Sequence, residues 1–171
     1  MGKNLLGVDF GTTALKACLF DQAGNLLASE SAQYQLITKG EFIEFDADEF
    51  FNVFISTVNK ITDKFKVDAL AVDTQGETMI VLDKDGKPLM NAIIWLDNRA
   101  TEQAKRMEEK FGIEKIYNLT GQAEIPAGYP APKIEWLKDN APEIFEKADK
   151  FLLLEDYILY LLFCQYVNCI F

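Results

Sequence analysis

The stretch that most constrains this chain is Leu5-Leu6-Gly7-Val8-Asp9-Phe10-Gly11-Thr12-Thr13-Ala14-Leu15-Lys16-Ala17-Cys18-Leu19-Phe20-Asp21. Leu5, Leu6, Val8 and Phe10 form an apolar run, Gly11 breaks it, and Leu15, Ala17, Leu19 and Phe20 resume it. That is the pattern of strand, tight turn, strand. Asp9, Thr12 and Thr13 sit at the break, with Lys16 just beyond. Glycine beside small hydroxyl residues lets backbone N–H and side-chain O–H groups converge on an anion. A carboxylate one turn away can hold the magnesium ion that a polyphosphate carries. The same residues also suit an ordinary hairpin with a polar tip, so the rest of the chain has to decide.

Of the 171 residues, 49% are apolar, ample for a packed core. The net charge of −10 argues against nucleic-acid or anionic-membrane binding. A nucleotide held by so acidic a chain needs magnesium to screen its phosphates, which fits Asp9 as a metal carboxylate. There is no His, which removes Ser-His-Asp and Cys-His nucleophiles and His general bases. Cys18, Cys164 and Cys169 show neither an even count nor metal-ligand spacing, and Cys18 is expected as a small core residue. Met-Gly-Lys-Asn leads straight into the first strand, so no signal peptide is expected and the expected location is cytoplasmic.

Taken in order, the chain reads as a three-strand antiparallel meander from Asn4 to about Leu36, then a loop at Thr38-Lys39-Gly40. Asp46, with Glu49 three residues on, is an N-cap signal. Phe50, Phe51, Phe54, Val58, Ile61 and Phe65 then recur at helical spacing, predicting a helix from about Ala47 to Lys64. Val67–Asp73 reads as a strand buried under helices, Met79–Leu82 and Ala92–Leu96 as further strands, and Ala100–Phe111 as a helix ended by Gly112. Residues 121–132 are loop-like. A helix opens at Pro132, a short one follows Pro142, and Phe151–Leu162 reads as a buried helix, too charged at Glu155 and Asp156 to span a membrane. Trp95 and Trp136 are expected in the core.

These pieces, taken together, resemble the N-terminal domain of the FGGY carbohydrate kinases, within the superfamily of actin, hexokinase and the 70-kilodalton chaperones. The resemblance covers about Leu5 to Leu162. It rests on Gly7-Val8-Asp9-Phe10-Gly11-Thr12-Thr13 with Lys16, on Phe42–Asp46, on Gln75-Gly76-Glu77-Thr78 and on Asn91–Arg99. Further landmarks are Thr120-Gly121, Pro130-Ala131-Pro132-Lys133-Ile134-Glu135-Trp136-Leu137 and Phe151–Tyr157. It implies an α/β, ribonuclease H-like domain whose mixed sheet joins the antiparallel meander to a parallel strand and is flanked by helices.

The activity it implies is ATP-dependent phosphoryl transfer to a hydroxyl of a sugar, ketose or polyol. By position, Asp9 is expected to hold magnesium, and Gly11, Thr12, Thr13 and Lys16 to face the nucleotide phosphates. Gln75, Gly76 and Glu77 are expected at the sugar, where a carboxylate accepts hydrogen bonds from paired hydroxyls. Asp97 and Arg99 either line the cleft or tie the following helix to the sheet as an ion pair or cap. Tyr129 lies near a substrate-contacting Tyr of some relatives. Gly76 stands where the glycerol-kinase branch has Arg, and the Met-His pair of the xylulokinase branch is missing. A different pentulose, hexulose or sugar acid therefore stays open.

The domain expectation is a partial kinase N-terminal domain over residues 1–162 and an atypical apolar tail over 163–171, with the C-terminal nucleotide-binding domain absent. The general base, an Asp in the family, is expected beyond residue 171, so a truncated chain is expected to be inactive alone. The alternative is a non-enzymatic sugar-binding or partner subunit completed by a separately encoded half. The apolar surface of 151–171 is expected to dimerise or aggregate.

Overall fold

The computed structural model describes residues 2–165. In chain order its elements are β1 (Asn4–Phe10), β2 (Ala14–Asp21), β3 (Leu26–Gln33), β4 (Ile37–Lys39), β5 (Phe42–Phe45), α1 (Ala47–Thr62), β6 (Ala69–Thr74), β7 (Met79–Leu82) and β8 (Ala92–Ile93). They continue with α2 (Thr101–Phe111), α3 (Ile113–Thr120), α4 (Pro130–Asn140), α5 (Pro142–Lys147), β9 (Lys150–Leu153), α6 (Leu154–Tyr160) and a π-helical turn, Leu161–Gln165. Two compact units result: residues 2–36, 46–76 and 154–165 form one, residues 37–45 and 77–153 the other.

The first unit carries a sheet of order β3-β2-β1-β6, with the meander antiparallel and β6 parallel to β1, the mixed arrangement expected. Alternation sets its faces. Leu6, Val8, Phe10, Leu15, Ala17 and Leu19 are buried on one side. Helix α1 buries Phe50, Phe54 and Ile61, and the Phe10 and Phe54 ring centroids lie 5.6 Å apart. Asp46 caps this helix as expected, accepting from the Asp48 and Glu49 N–H groups at 3.0 and 3.2 Å. Two expectations fail on the sheet's other face. Ala69, Ala71 and Asp73 are exposed because β6 is an edge strand rather than a buried one. Cys18 shares the face of Lys16 and Phe20, outside the core, with its Sγ 3.4 Å from Ser29 Oγ.

The second unit carries an antiparallel sheet, β4-β5-β8-β7-β9, that was not foreseen. Thr38 and Lys39, expected as loop, pair with Ile43 and Phe42 around Gly40. Phe151-Leu152-Leu153, expected as helix, instead pairs with Val81, Ile80 and Met79, and the helix starts only at Leu154. Long-range ladder bonds there override a local apolar run that suits either structure. Helix α3 went unforeseen, and α4 opens at Pro130, two residues early. Met79, Val81, Ile93, Leu137 and Ala141 form the core, with Ile134, Trp136 and Phe151 packed on it. Trp95 is not core: the chain turns after Ile94, whose carbonyl accepts from Asp97 N–H at 3.0 Å, and leaves Trp95 44% exposed. From 166 onward the expected apolar tail lies outside the described residues.

Gly128 presses against that turn so closely that a Cβ would stand 2.2 Å from the Trp95 carbonyl oxygen. Gly128→Ala is therefore expected to lower stability by about 1–3 kcal/mol in urea denaturation, the usual cost of overpacking; an unchanged midpoint would contradict this packing.

Candidate functional site

The tip between β1 and β2 is closed by Gly11 N–H donating to the Ala14 carbonyl at 3.0 Å. Tyr34, just past β3, clamps it from behind: its N–H donates to the Thr13 carbonyl at 3.2 Å and its hydroxyl donates to the Gly11 carbonyl. The ring is buried edge-on against Phe50, with centroids 5.1 Å apart. Burial, and then the negative charge of Asp9, push the phenol pKa upward, so Tyr34 stays a donor. Sequence reasoning missed this clamp; its signal was a lone aromatic closing the polar run of β3.

Strand register places Asp9 between Lys16 on β2 and Asp73 on β6. Laterally paired residues project to the same face, so the three charges border a shallow depression with Gly7, Cys18 and Ala71. Among the described residues, no hydrogen bond or ion pair engages the Asp9 carboxylate or the Lys16 ammonium.

The parallel pairing also brings in the second turn. Gln75 N–H donates to the Phe10 carbonyl at 2.7 Å, so the Gly11–Thr13 and Gln75–Gly76 segments leave adjacent strand ends together. Carboxyl ends of parallel strands are where open α/β sheets bind ligands. Both polar atoms of the Gln75 carboxamide are buried without a hydrogen-bond partner among the described residues. Such unpaired groups are rare in folded chains and concentrate where strain or function accounts for them. Next to it, Thr74 Oγ1 donates to Glu155 Oε2 at 2.7 Å, tying the strand end to α6.

The longer segment of the second unit opens at Glu77, which holds a left-handed backbone, φ 66°, rare for a residue with a side chain. Its carbonyl accepts from Lys133 Nζ at 2.7 Å, and the same ammonium reaches the Ile93 carbonyl at 3.3 Å. Lys133 is fully buried. Burial pulls its pKa down to about 8, against the raising influence of the Asp97 and Glu77 charges and with Arg99 adding to the depression. The Glu77 carboxylate itself has no hydrogen bond or ion pair among the described residues. Lys133 had no role in the sequence reading; a lysine amid the Pro132–Leu137 apolar positions was its signal.

Asp97 and Arg99 sit in the same unit and are saturated from within. Asp97 accepts from Arg99 Nε at 2.8 Å, Arg99 Nη2 at 2.8 Å, the Arg99 backbone N–H at 3.0 Å and Ile43 N–H at 2.6 Å. Arg99 also donates to Glu44 Oε1 at 2.6 Å, and Asn91 fills the other Glu44 oxygen at 3.0 Å. The guanidinium carbon lies 4.2 Å from the Phe42 ring centroid and 5.0 Å from that of Trp136. The Asp97 and Arg99 side chains are 0% and 2% exposed. Tyr129 donates its hydroxyl to Gln122 Oε1 at 3.1 Å. The structure thus gathers Asp9, Gly11, Thr12, Thr13, Lys16, Gln75 and Gly76 in the first unit, and Glu77, Asp97 and Arg99 in the second.

The sequence and the fold have known counterparts. Residues 4–169 match the model of the N-terminal domain of the FGGY family of carbohydrate kinases. A gluconokinase of Bacillus licheniformis is 33% identical over 171 residues, covering 98% of this chain and 33% of that protein. A xylulose kinase of Bacillus subtilis is 34% identical over 162 residues, covering 91% of this chain and 32% of its own length. The crystal structure of gluconate kinase from Lactobacillus acidophilus superposes with a TM-score of 0.86 at 32% identity, over 94% of this chain and 33% of that one. The chain therefore spans about a third of the length of the curated relatives it matches. At this identity and coverage, the chain belongs to the FGGY family of carbohydrate kinases.

Proposed function

We propose that this chain supplies the phosphate-facing hairpin and the sugar-binding turn of a kinase that moves the γ-phosphoryl group of ATP to a hydroxyl of a sugar, ketose or sugar acid. The observation that carries the reading is the parallel β1–β6 pairing. It brings the Gly11–Thr13 and Gln75–Gly76 turns to neighbouring strand ends, with Asp9 left unengaged beside the first, which supports a shared role for the two turns.

Phosphoryl transfer is mostly positioning and charge neutralisation. The tip closed by Gly11 and held by Tyr34 presents the small hydroxyl residues Thr12 and Thr13 toward phosphate oxygens, and Lys16 adds a positive charge. Asp9, with Asp73 across the strand pair, fits the one or two carboxylates that hold magnesium alongside phosphate oxygens. Bound there, magnesium would neutralise phosphate charge during transfer. Glu77 accepts hydrogen bonds from sugar hydroxyls, while Asp97 and Arg99, saturated by their neighbours, hold the second unit's loop in place. Gly76 removes the arginine of the glycerol-kinase branch, which favours an acceptor other than glycerol. The general base is assigned to none of these residues.

Calorimetry of the chain against D-gluconate, D-xylulose and glycerol tests the reading. Binding of gluconate or xylulose, weakened about tenfold or more by Glu77→Gln, is expected. Binding that is unmoved by Glu77→Gln would refute the sugar turn. Turnover of ATP and sugar by these residues alone at about 1–100 per second would refute the placement of the base elsewhere.

Stability separates the two kinds of carboxylate. Asp97→Ala leaves Arg99 buried with half its partners and is expected to cost about 3–5 kcal/mol in urea denaturation. Asp9→Asn, at an exposed and unengaged position, should stay within about 0.5 kcal/mol of the parent. Equal losses would mean that Asp9 is structural.

A further inference from the structure

Lys133 stands in a place that disfavours it twice. It is fully buried, and it lies in the first turn of α4, whose N-terminal end repels positive charge. An apolar residue of similar length would fold there at lower cost. What the ammonium does instead is specific: it donates to the Glu77 carbonyl at 2.7 Å and to the Ile93 carbonyl at 3.3 Å. Glu77 is the non-glycine residue with a left-handed backbone, and that conformation persists only where surrounding bonds over-determine it. Thr78, next in the chain, buries its hydroxyl without a hydrogen-bond partner among the described residues, so the turn has little else in side-chain bonding to hold it.

We propose that Lys133 is a positioning residue for the sugar turn, fixing the Glu77 carbonyl and, through the left-handed backbone, the direction in which the Glu77 carboxylate is presented. The inference rests on the reading of Glu77 as a sugar contact. The charged groups that face the ammonium are the Glu77 and Asp97 carboxylates, which hold its proton, and the Arg99 guanidinium, which opposes it. With burial dominating, Lys133 loses its charge as pH rises through about 8 rather than near the ordinary 10.5. The sign for stability follows. Below about 8 the folded chain carries the whole penalty of the buried charge. Between about 8 and 10.5 the unfolded chain binds the extra proton, so stability rises with pH relative to a variant without the lysine. Sugar affinity should move the other way, falling as the charge that grips the turn is lost.

The first test uses the unaltered chain: a pH titration by NMR that follows the Lys133 Cε and the backbone amides of Glu77 and Thr78. A shared midpoint near 8 is expected. Amides that stay flat while Lys133 titrates would overturn the proposal, whether or not a sugar binds. The second test compares D-gluconate and D-xylulose affinity in Lys133→Met, Lys133→Arg and Glu77→Gln. Lys133→Met is expected to weaken binding about tenfold or more, with partial recovery in Lys133→Arg. Loss in Glu77→Gln with none in Lys133→Met would overturn the role of Lys133 and leave the sugar turn standing. Loss in neither would overturn the sugar turn, and the positioning role with it.

Discussion

The parallel pairing of β1 with β6 is the constraint on which the first unit's proposed site depends. A meander alone would leave Asp9 on an open sheet face with only Lys16 beside it. Adding β6 in register sets Asp73 on the other side of Asp9 and hands the Phe10 carbonyl to Gln75 N–H. One ladder therefore fixes the spacing of two turns that sequence separates by some sixty residues. Tyr34 completes the arrangement by gripping both ends of the Gly11–Thr13 tip, which fixes its backbone.

The second unit solves a different problem, holding an irregular loop without regular strands. Arg99 is its hub, joined to Asp97 and Glu44 and set over both the Phe42 and Trp136 rings, which meet edge-on beside it. Burial alone would make its guanidinium easier to deprotonate, and the bonds from Asp97 and Glu44 more than reverse that. Every oxygen of Asp97 is consumed in this work, whereas the Glu77 and Asp9 carboxylates make no hydrogen bond or ion pair among the described residues. The proposed division of scaffold from site rests on this contrast between saturated and unengaged carboxylates rather than on residue type.

Much of this was legible in the sequence. Alternation around Gly11 defined the hairpin, the Phe stripe and Asp46 defined α1 and its cap, and ordered motifs pointed to the family. What was not legible depended on contacts far apart in sequence. Phe151-Leu152-Leu153 suits a helix or a strand, and only pairing with β7 decides for strand. Val67–Asp73 is apolar enough to be buried, yet its edge position exposes it. Asp97 and Arg99 could not be assigned between cleft and scaffold because Ile43, Glu44, Phe42 and Trp136 are remote in sequence. Lys133 escaped notice because a single lysine in an apolar helix gives no hint of which carbonyls it will meet.

The central claim is that the hairpin tip beside Asp9 is built to meet magnesium-bound phosphate. The most direct measurement is an amide NMR titration of the chain with Mg·ATP and with Mg·ADP. The account predicts shifts concentrated at residues 9–16 and at Thr74–Gly76, largely abolished by Asp9→Asn. Shifts elsewhere, or shifts at the tip that survive Asp9→Asn unchanged, would contradict it.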